Sequence, residues 1–298
     1  MIPYYTYSAF GLRIKSTFPI EELLPAETDK VDVRIKYGIT PKKLSVVSGE
    51  GVLFQANRNE FLFRLKTVGS YLVLNGTDII VEQLNNSSIK DLNLFLLGSA
   101  IGAILHQRGL LPIHGSTVVK DGKAIIISGV SGAGKSSLAA TLINRGYDLV
   151  ADDISVLESK KNTLLVQPGI PHIKLWHDVI EKMNDKPENY EKVRDQLKKY
   201  RKPVLNAFID KPAPPKKIII LNTKNSPGFS CEIVKGFEKF NAIKNHTYRY
   251  RFVESMDRIS DHFKMANQLA NAVDIIKLDR PSSPILLEEL ADEIEKQI

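Results

Sequence analysis

A glycine-rich segment at residues 129–136, with the sequence Gly-Val-Ser-Gly-Ala-Gly-Lys-Ser, has the residue types and spacing of a phosphate-binding loop. Its glycines let the backbone curl so that successive N–H groups point at phosphate oxygens. Lys135 can then reach the β- and γ-phosphates of a nucleotide, and the Ser136 hydroxyl can ligate the Mg²⁺ that bridges them. The segment therefore predicts a binding site for a nucleoside triphosphate and its magnesium ion.

The segments on either side fit this interpretation. Residues 124–128 form a short apolar run typical of a buried strand, and residues 137–144 carry apolar side chains at helical spacing. The loop would thus connect a strand to the positive end of a helix dipole, which favours bound phosphate. The residues that we expect to contact the nucleotide are Gly129, Ser131, Gly132, Ala133, Gly134, Lys135, Ser136 and Ser137.

Two adjacent carboxylates, Asp152 and Asp153, follow a short apolar run at residues 149–151. Phosphoryl transfer from ATP needs a carboxylate near the Mg²⁺ and, when the acceptor is a hydroxyl, a base for its proton. Successive residues at the end of a strand can divide these tasks, because their side chains point in different directions. Their position one helix after the phosphate loop favours this role over a solvated turn.

His114 is a further candidate for the same site. It lies in a predicted strand, residues 112–119, which a tight turn at residues 120–123 connects to the strand before the phosphate loop. Because the two strands of a hairpin pair with each other, His114 would lie beside the nucleotide. We therefore count it among the candidate catalytic residues.

In this order, His114-Gly, the loop at residues 129–136 and the segment Arg-Gly-Tyr-Asp-Leu-Val-Ala-Asp-Asp at residues 145–153 resemble the catalytic domain of HPr kinase/phosphorylase. The resemblance is clear over residues 112–176, and a more distant one links the chain to ATP-dependent phosphoenolpyruvate carboxykinase. It implies an α/β fold with a mixed sheet and flanking helices, preceded here by a small β-rich region. It also implies a kinase that uses ATP and Mg²⁺ to phosphorylate a serine of a peptide or small protein.

Transferred residue by residue, the resemblance implies that Lys135 holds the phosphates and that Ser136 binds the metal. Asp152 would be the base that accepts the serine proton, and Asp153 would be a carboxylate on the metal side. His114 would contact the γ-phosphate or the acceptor. The division of roles between the two aspartates could also be reversed.

Other segments bear on the substrate. Bacterial HPr enzymes carry a Glu-Val-Arg-Gly-type stretch where this chain has Leu-Leu-Val-Gln-Pro-Gly at residues 164–169, which argues against HPr as acceptor and against phosphate removal. Residues 167–176 are instead similar to a Pro-Gly-x-Pro-x-x-x-Leu-Trp stretch of other HPr-kinase-like proteins. Residues 4–12 and 16–24 resemble the start of such proteins from lasso-peptide biosynthetic clusters. That resemblance implies the C-terminal serine of a precursor peptide as the acceptor.

The composition of the 298-residue chain is that of an ordinary globular protein, with 43% hydrophobic and 25% charged residues. A net charge of +7 fits either a solvated basic surface or an anionic partner such as an acidic peptide. We expect no nucleic-acid partner, because the sequence has no recognition motif for one. A single cysteine, Cys231, excludes a disulfide framework and a cysteine-based metal site.

We also expect no membrane segment. The N-terminus lacks the pattern of a signal peptide, and the longest apolar span, residues 92–105, is too short to cross a bilayer and predicts a buried helix. A cytoplasmic protein is the expectation that follows. HPr kinases assemble as hexamers, so a homo-oligomer stays open for this chain.

The pattern of the chain divides it into a β-rich region at residues 1–86 and a catalytic domain at residues 87–298. Strands are predicted in the first region at 31–35, 60–65, 71–74 and 78–81. Helices are predicted at 89–108, 178–200, 237–245, 258–276 and 284–297, with a break in the chain at 279–281.

The basic cluster Lys-Lys-Tyr-Arg-Lys at residues 198–202 has two interpretations. It suits the solvated C-terminal end of the predicted helix, where cations are favourable. Alternatively it clamps a γ-phosphate or an acidic peptide, and Arg201 is then the candidate catalytic residue.

These observations leave several classes of function. The leading hypothesis is an ATP:serine phosphotransferase acting on a peptide or small protein, with Asp152 as the base. A non-catalytic ATP-sensing module would keep the loop but would need neither Asp152 nor His114. A kinase of HPr or of a small metabolite is a further alternative. A decarboxylating enzyme ranks last, because no oxaloacetate-binding signature is present.

Overall fold

The computed structural model of the chain describes residues 4–225, 227–282 and 286–298. They form two compact units, and each unit is assembled from two stretches of the chain. The first unit comprises the described part of residues 1–112 together with 248–265, and the second comprises that of residues 113–247 and 266–298. The domain boundary that the sequence predicts after residue 86 stays a prediction.

The described residues contain strands and helices in the following order along the chain. The strands are β1 (Tyr5–Ala9), β2 (Leu12–Ser16), β3 (Leu24–Pro25), β4 (Val33–Tyr37), β5 (Gly49–Glu50), β6 (Phe54–Ala56), β7 (Glu60–Leu65), β8 (Gly69–Leu74), β9 (Asp78–Gln83), β10 (Leu111–Lys120), β11 (Lys123–Gly129), β12 (Asp148–Ala151), β13 (Ile154–Lys160), β14 (Thr163–Gln167), β15 (His172–Trp176), β16 (Glu191–Lys192), β17 (Lys199–Pro203), β18 (Pro215–Lys224), β19 (Ser230–Val234) and β20 (Asp274–Pro281). The α-helices are α1 (Ile89–Phe95), α2 (Ile101–Gln107), α3 (Lys135–Asn144), α4 (His177–Lys182), α5 (Phe237–His246), α6 (Tyr250–Ser255), α7 (Ile259–Ala272) and α8 (Leu287–Lys296). A π-helical turn at Leu96–Ala100 joins α1 to α2, and Pro187–Asn189 forms a 3₁₀ turn.

The first unit is built on a nine-stranded sheet with the order β3-β1-β2-β4-β9-β8-β7-β6-β5. The runs predicted as strands lie in β4, β7, β8 and β9, so the β-rich character of this region is confirmed. Alternation explains the sheet, because residues such as Val33 and Ile35 are buried whereas Arg34 between them is exposed.

The helical stretch Ile89–Gln107 lies in the same unit. Among the described residues it alone has the length and apolar composition that could cross a bilayer, and 67% of its most apolar window is buried inside the protein. The helix predicted at residues 89–108 is confirmed, whereas the inference from the apolar span 92–105 that the segment is too short for a bilayer was wrong, because the helical stretch has 19 residues. The predicted burial is confirmed, with Leu96, Ile101 and Ile104 fully enclosed.

The second unit contains an eight-stranded mixed sheet with the order β14-β13-β10-β11-β18-β20-β19, and β12 also pairs with β10. β10 and β11 are antiparallel, whereas β11, β18 and β20 run parallel to one another. Helices α3 and α8 pack on this sheet through buried residues that include Leu138, Leu142, Leu290 and Ile294. This arrangement confirms the predicted α/β fold with a mixed sheet and flanking helices.

The helix predicted at residues 178–200 is wrong. α4 ends at Lys182, and the chain then forms the 3₁₀ turn, which begins with Pro187, before it enters strands β16 and β17. Proline at this position cannot continue a helical ladder, and β17 pairs with β15 to form a three-stranded sheet in the order β15-β17-β16. The basic cluster at residues 198–202 is therefore not a helix end, because it lies largely in β17.

The C-terminal predictions need two corrections. The helix predicted at 258–276 ends at Ala272, and the β-branched Ile275 and Ile276 instead belong to β20, where their side chains are buried. Residues 279–281 are consequently the end of that strand and not a break in the chain. α8 begins at Leu287, and the predicted helix start at residues 284–285 lies outside the described residues.

Candidate active site

The predicted loop connects β11 to α3, as the sequence indicated. Gly129, Gly132 and Gly134 all have positive φ, at 145°, 83° and 103°. At Gly129 a Cβ atom would lie 2.4 Å from the carbonyl oxygen of Leu221 on the neighbouring strand. Glycine is therefore required at this position by backbone contact as well as by conformation.

Lys135 is buried and its ammonium group lies over the loop. Its Nζ atom donates hydrogen bonds to the carbonyl oxygens of Gly129 at 2.9 Å and Val130 at 3.0 Å. Burial lowers the pKa of this lysine, and the charges of Asp153 and Asp152 oppose that shift. The ammonium group of Lys135 and both carboxylates therefore lie close enough to interact electrostatically. The predicted site requires this proximity.

The other loop residues divide into exposed and supporting ones. Ser131 and Gly132 are exposed, whereas Ala133 is buried and Ser137 is buried within the first turn of α3. The carbonyl oxygen of Ala133 accepts a 2.9 Å hydrogen bond from Nε of Arg280. Arg280 is 4% exposed at the end of β20 and was missed by the sequence analysis, because only the parallel pairing of β20 with β18 brings this strand near the loop.

Asp152 accepts three hydrogen bonds. Its Oδ1 atom accepts from the Ser116 hydroxyl at 2.6 Å and from the Ser136 hydroxyl at 2.9 Å. Its Oδ2 atom accepts from the backbone N–H of Lys174 at 2.9 Å. Asp152 is therefore the carboxylate that directly contacts the loop serine.

Asp153 has different surroundings, because its φ of 73° turns its side chain away from that of Asp152. Its Oδ2 atom lies 2.9 Å from Nζ of Lys174, and its Oδ1 atom lies 3.5 Å from Nδ1 of His114. Burial by itself would raise the pKa of this carboxyl, but Lys174 and His114 outweigh it, so the pKa lies below its usual range. Asp153 is thus held as a carboxylate.

His114 lies on β10, which pairs with β11 as predicted. Its Nδ1 atom lies 3.0 Å from the carbonyl oxygen of Asp153. A carbonyl only accepts, so Nδ1 donates and Nε2 carries the lone pair of the neutral ring. Burial, followed by the charge of Lys135, lowers the pKa of this imidazole, which favours the neutral form near pH 7.

Several residues of this site were not among those predicted from the sequence. Lys174 contacts both aspartates because β15 lies beside the end of β12, and this depends on tertiary structure alone. His246, at the end of α5, is near His114 because Thr247 forms an antiparallel bridge with Ile113. Burial lowers the pKa of His246 to about 4, and the charges of Lys135 and His114 act in the same direction.

Arg201 occupies a different position from the one predicted. It lies in β17 opposite Lys174 of β15, and its Nη1 atom is 3.6 Å from a carboxylate oxygen of Glu191. The neighbouring Lys199 acts electrostatically on Lys135 and on Asp153. Arg201 thus belongs to the small sheet beside the aspartates, and its predicted catalytic role stays a prediction.

The residues present fit a nucleotide-bound Mg²⁺. Among residues 4–225, 227–282 and 286–298, no group of three or more His, Cys, Asp or Glu side chains could hold a metal ion. Mg²⁺ usually binds through one or two carboxylates together with substrate phosphates and water. The Ser136 hydroxyl and Asp152 Oδ1, 2.9 Å apart, are oxygen donors suited to such a site.

Comparison with known proteins gives one consistent family. Residues 110–181 match the family model described as the HPr serine kinase C-terminal domain. A curated HPr kinase/phosphorylase from Chlorobium limicola is 42% identical over 62 residues, which is 21% of this chain and 18% of that protein. The HPr kinase/phosphorylase from Chlorobaculum tepidum is 46% identical over 50 residues, 17% of this chain and 15% of that protein.

The matched segments span less than a fifth of the length of these curated relatives. A solved structure, that of the HPr(Ser) kinase/phosphatase from Coxiella burnetii, has 17% sequence identity and a TM-score of 0.31, covering 62% of this chain and 96% of that one. The family match coincides with the segment that contains the phosphate loop, both aspartates and His114. Over residues 110–181 this chain is similar to the HPr kinase-like family.

Proposed function

We propose that this protein is an ATP-dependent kinase that phosphorylates a serine hydroxyl of a peptide or small protein. The observation that carries the proposal is the grouping of the Ser136–Asp152 contact with the Asp153–Lys174–His114 cluster beside one phosphate loop. These are the parts that phosphoryl transfer needs: a phosphate cradle, an oxygen site for the metal and a carboxylate for the acceptor proton.

The loop from Gly129 to Gly134 would bind the phosphates through its backbone N–H groups, and Lys135 would turn from the loop carbonyls to the β- and γ-phosphates. Ser136 and Asp152 would hold Mg²⁺, which when bound neutralises charge on the β- and γ-phosphate oxygens. Arg280 fixes the Ala133 carbonyl and so supports the curvature of the loop.

We propose that the division of roles between the aspartates is the reverse of the first expectation. Asp152 accepts a hydrogen bond from the loop serine, which suits the carboxylate on the metal side. Asp153 would accept the proton of the serine hydroxyl as the serine oxygen bonds to the γ-phosphorus and the bond from that phosphorus to the β,γ-bridging oxygen breaks, releasing ADP. The low pKa of Asp153 is compatible with this role, because such transition states are loose and a strong base is not required.

His114 and Arg201 complete the proposed site. The neutral His114 ring, with Nδ1 donating to the Asp153 carbonyl, would orient the acceptor by accepting a hydrogen bond at its second nitrogen. Arg201 would act on the acceptor side, because it shares a face of the small sheet with Lys174. For the acceptor itself we propose the C-terminal serine of a lasso-peptide precursor, on the resemblance of residues 4–12 and 16–24. An enzyme with this substrate would act in the cytoplasm.

The test compares Asp152→Asn with Asp153→Asn. We expect Asp152→Asn to abolish the gain in ATP affinity that Mg²⁺ gives. Asp153→Asn should keep that gain and lower the rate of transfer by about 10²- to 10⁴-fold. Calorimetric titration with ATP, with and without Mg²⁺, measures the first effect. Transfer of labelled phosphate to serine peptides, C-terminal-serine peptides included, measures the second.

Two outcomes contradict the proposal in different ways. If Asp153→Asn keeps near-wild-type transfer while Asp152→Asn loses it with Mg²⁺–ATP binding intact, the first division of roles is correct. If the wild-type protein binds ATP but transfers phosphate to no serine peptide, it is a nucleotide-sensing module.

A further inference from the structure

The three-stranded sheet β15-β17-β16 has two chemically different faces. Ile173, Leu175 and Tyr200 lie on one face and are buried in the core of the second unit. Because side chains alternate along a strand, the residues between them lie on the opposite face. This second face, hereafter the cationic face, carries Lys174, Trp176, Lys199 and Arg201, and His172 and Glu191 lie on the same side.

The cationic face is close to the proposed base. Lys174 contacts Asp153 directly, with 2.9 Å between Nζ and Oδ2. The charge of Lys199 lowers the pKa of both Lys135 and Asp153. An acceptor serine that reaches Asp153 would therefore bring its neighbouring residues close to these cations.

On this face Arg201 pairs with an exposed carboxylate, and Lys199 stands over an exposed aromatic ring. Glu191 lies 3.6 Å from Arg201, but its side chain is 57% exposed, and ion pairs of that kind contribute little to stability. Lys199 stands over the ring of Trp176 at 5.7 Å from the centroid, and Trp176 is 44% exposed. Tryptophan and arginine are enriched among the residues that contribute most to the affinity of binding surfaces.

We propose that the cationic face binds carboxylate groups of the peptide acceptor, so that serines with acidic neighbours are the preferred substrates. This inference rests on the proposed kinase function and names the substrate class of that site. Lysine and arginine form charge-assisted hydrogen bonds with carboxylates, and an arginine can bind a carboxylate through two parallel bonds. Lys174 would stay with Asp153, while Lys199 and Arg201 would hold the peptide and Trp176 would cover its apolar atoms.

Trp176 allows binding to be measured apart from catalysis, because it is the only tryptophan of the chain. The probes are two serine hexapeptides that differ only in having aspartate or asparagine on both sides of the serine. Titration of the full-length protein with the aspartate peptide should change the Trp176 fluorescence and give a Kd about tenfold lower than the asparagine peptide gives. Equal Kd values for the two peptides would overturn the inference.

The variants Lys199→Gln and Arg201→Gln locate the effect. Each should raise the Kd about tenfold for the aspartate peptide and by a smaller factor for the asparagine peptide, so that the difference in Kd between the two peptides disappears. The matched control is Lys192→Gln, which removes the same charge from an exposed residue opposite Tyr200, and so from the other face of the sheet. A loss of affinity in the control equal to that of Lys199→Gln would mean that only net charge matters.

The two proposals fail in different ways. If the aspartate peptide binds preferentially but no phosphate is transferred, the inference about the face stands and the kinase proposal fails. If phosphate is transferred equally well to both peptides, the kinase proposal stands and the inference fails.

Discussion

Asp152 and Asp153 are adjacent in sequence, yet they lie in different chemical environments. The cause is the left-handed backbone of Asp153, with φ of 73°, which aspartate tolerates better than most residues. One carboxylate consequently contacts the loop serine, and the other contacts a lysine and a histidine. One aspartate of the pair can thus bind a metal ion while the other accepts a proton.

Lys174 is the residue that sets the protonation of Asp153. Its ammonium group favours the carboxylate, so removal of this charge leaves burial as the main effect, and burial raises the pKa of Asp153. Because Asp153 stays ionised above pH 4 in the wild-type protein, we predict that Lys174→Gln brings an acid limb of the profile of kcat/KM against pH into that range. The backbone N–H that holds Asp152 is kept in this variant, so Mg²⁺-dependent ATP binding should persist.

The measurement is the rate of phosphate transfer between pH 4 and 8 at a subsaturating concentration of the asparagine peptide. This peptide avoids a change in acceptor charge over that range. Lys192→Gln is the control and should keep the wild-type profile. A wild-type profile in Lys174→Gln would show that Asp153 does not govern the proton transfer.

At the scale of elements, the phosphate loop depends on the close approach of β11 and β18. A Cβ atom at Gly129 would meet the Leu221 carbonyl oxygen, whereas one at Gly132 would meet nothing within 4 Å. We predict that Gly129→Ala lowers the free energy of unfolding by at least about 2 kcal/mol and weakens ATP binding. Gly132→Ala, with strain from its positive φ alone, should cost about 1 kcal/mol.

Urea unfolding of both variants, with and without ATP, measures these differences. Both variants gain the same methyl group at a positive φ, 145° at position 129 and 83° at position 132, and only position 129 has the close contact with β18. Equal destabilisation of the two variants would mean that backbone conformation, and not the approach of β18, accounts for the glycine at position 129.

The elements that sequence reasoning predicted correctly are those with local signals. The loop at residues 129–136 has its own motif, and the strand and helix beside it have clear apolar patterns. The charged segment 178–200 was misassigned because its pattern is helical, while pairing between β15 and β17 determines its structure. Local propensity is a weak guide where tertiary pairing competes with it.

The same reasoning explains which site residues the sequence left out. Lys174 and Arg280 are distant in sequence from the loop, and each reaches the site through the register of a strand. Such a register follows from the packing of the whole sheet, which a single sequence does not display. The aspartate pair was found, but the surroundings that distinguish Asp152 from Asp153 required coordinates.

At the scale of the whole molecule, the net charge of +7 gives the chain a positive field. A field of this sign attracts acidic peptides before contact and so raises their rate of association. The cationic face would convert that general attraction into binding at one place. For an acidic peptide, salt should therefore weaken both the long-range attraction by the net charge and the binding at the cationic face.

We predict that raising NaCl from about 0.1 M to about 1 M, which shortens the Debye length from roughly 10 Å to roughly 3 Å, raises the KM for the aspartate peptide several-fold. The KM for the asparagine peptide should change little, because that peptide lacks the flanking charges. Transfer rates measured at saturating ATP keep the salt dependence of nucleotide binding out of the comparison. If the cationic face recognises acidic peptides, only the KM for the aspartate peptide should rise with salt. An equal rise in KM for both peptides would mean that salt acts on the enzyme itself.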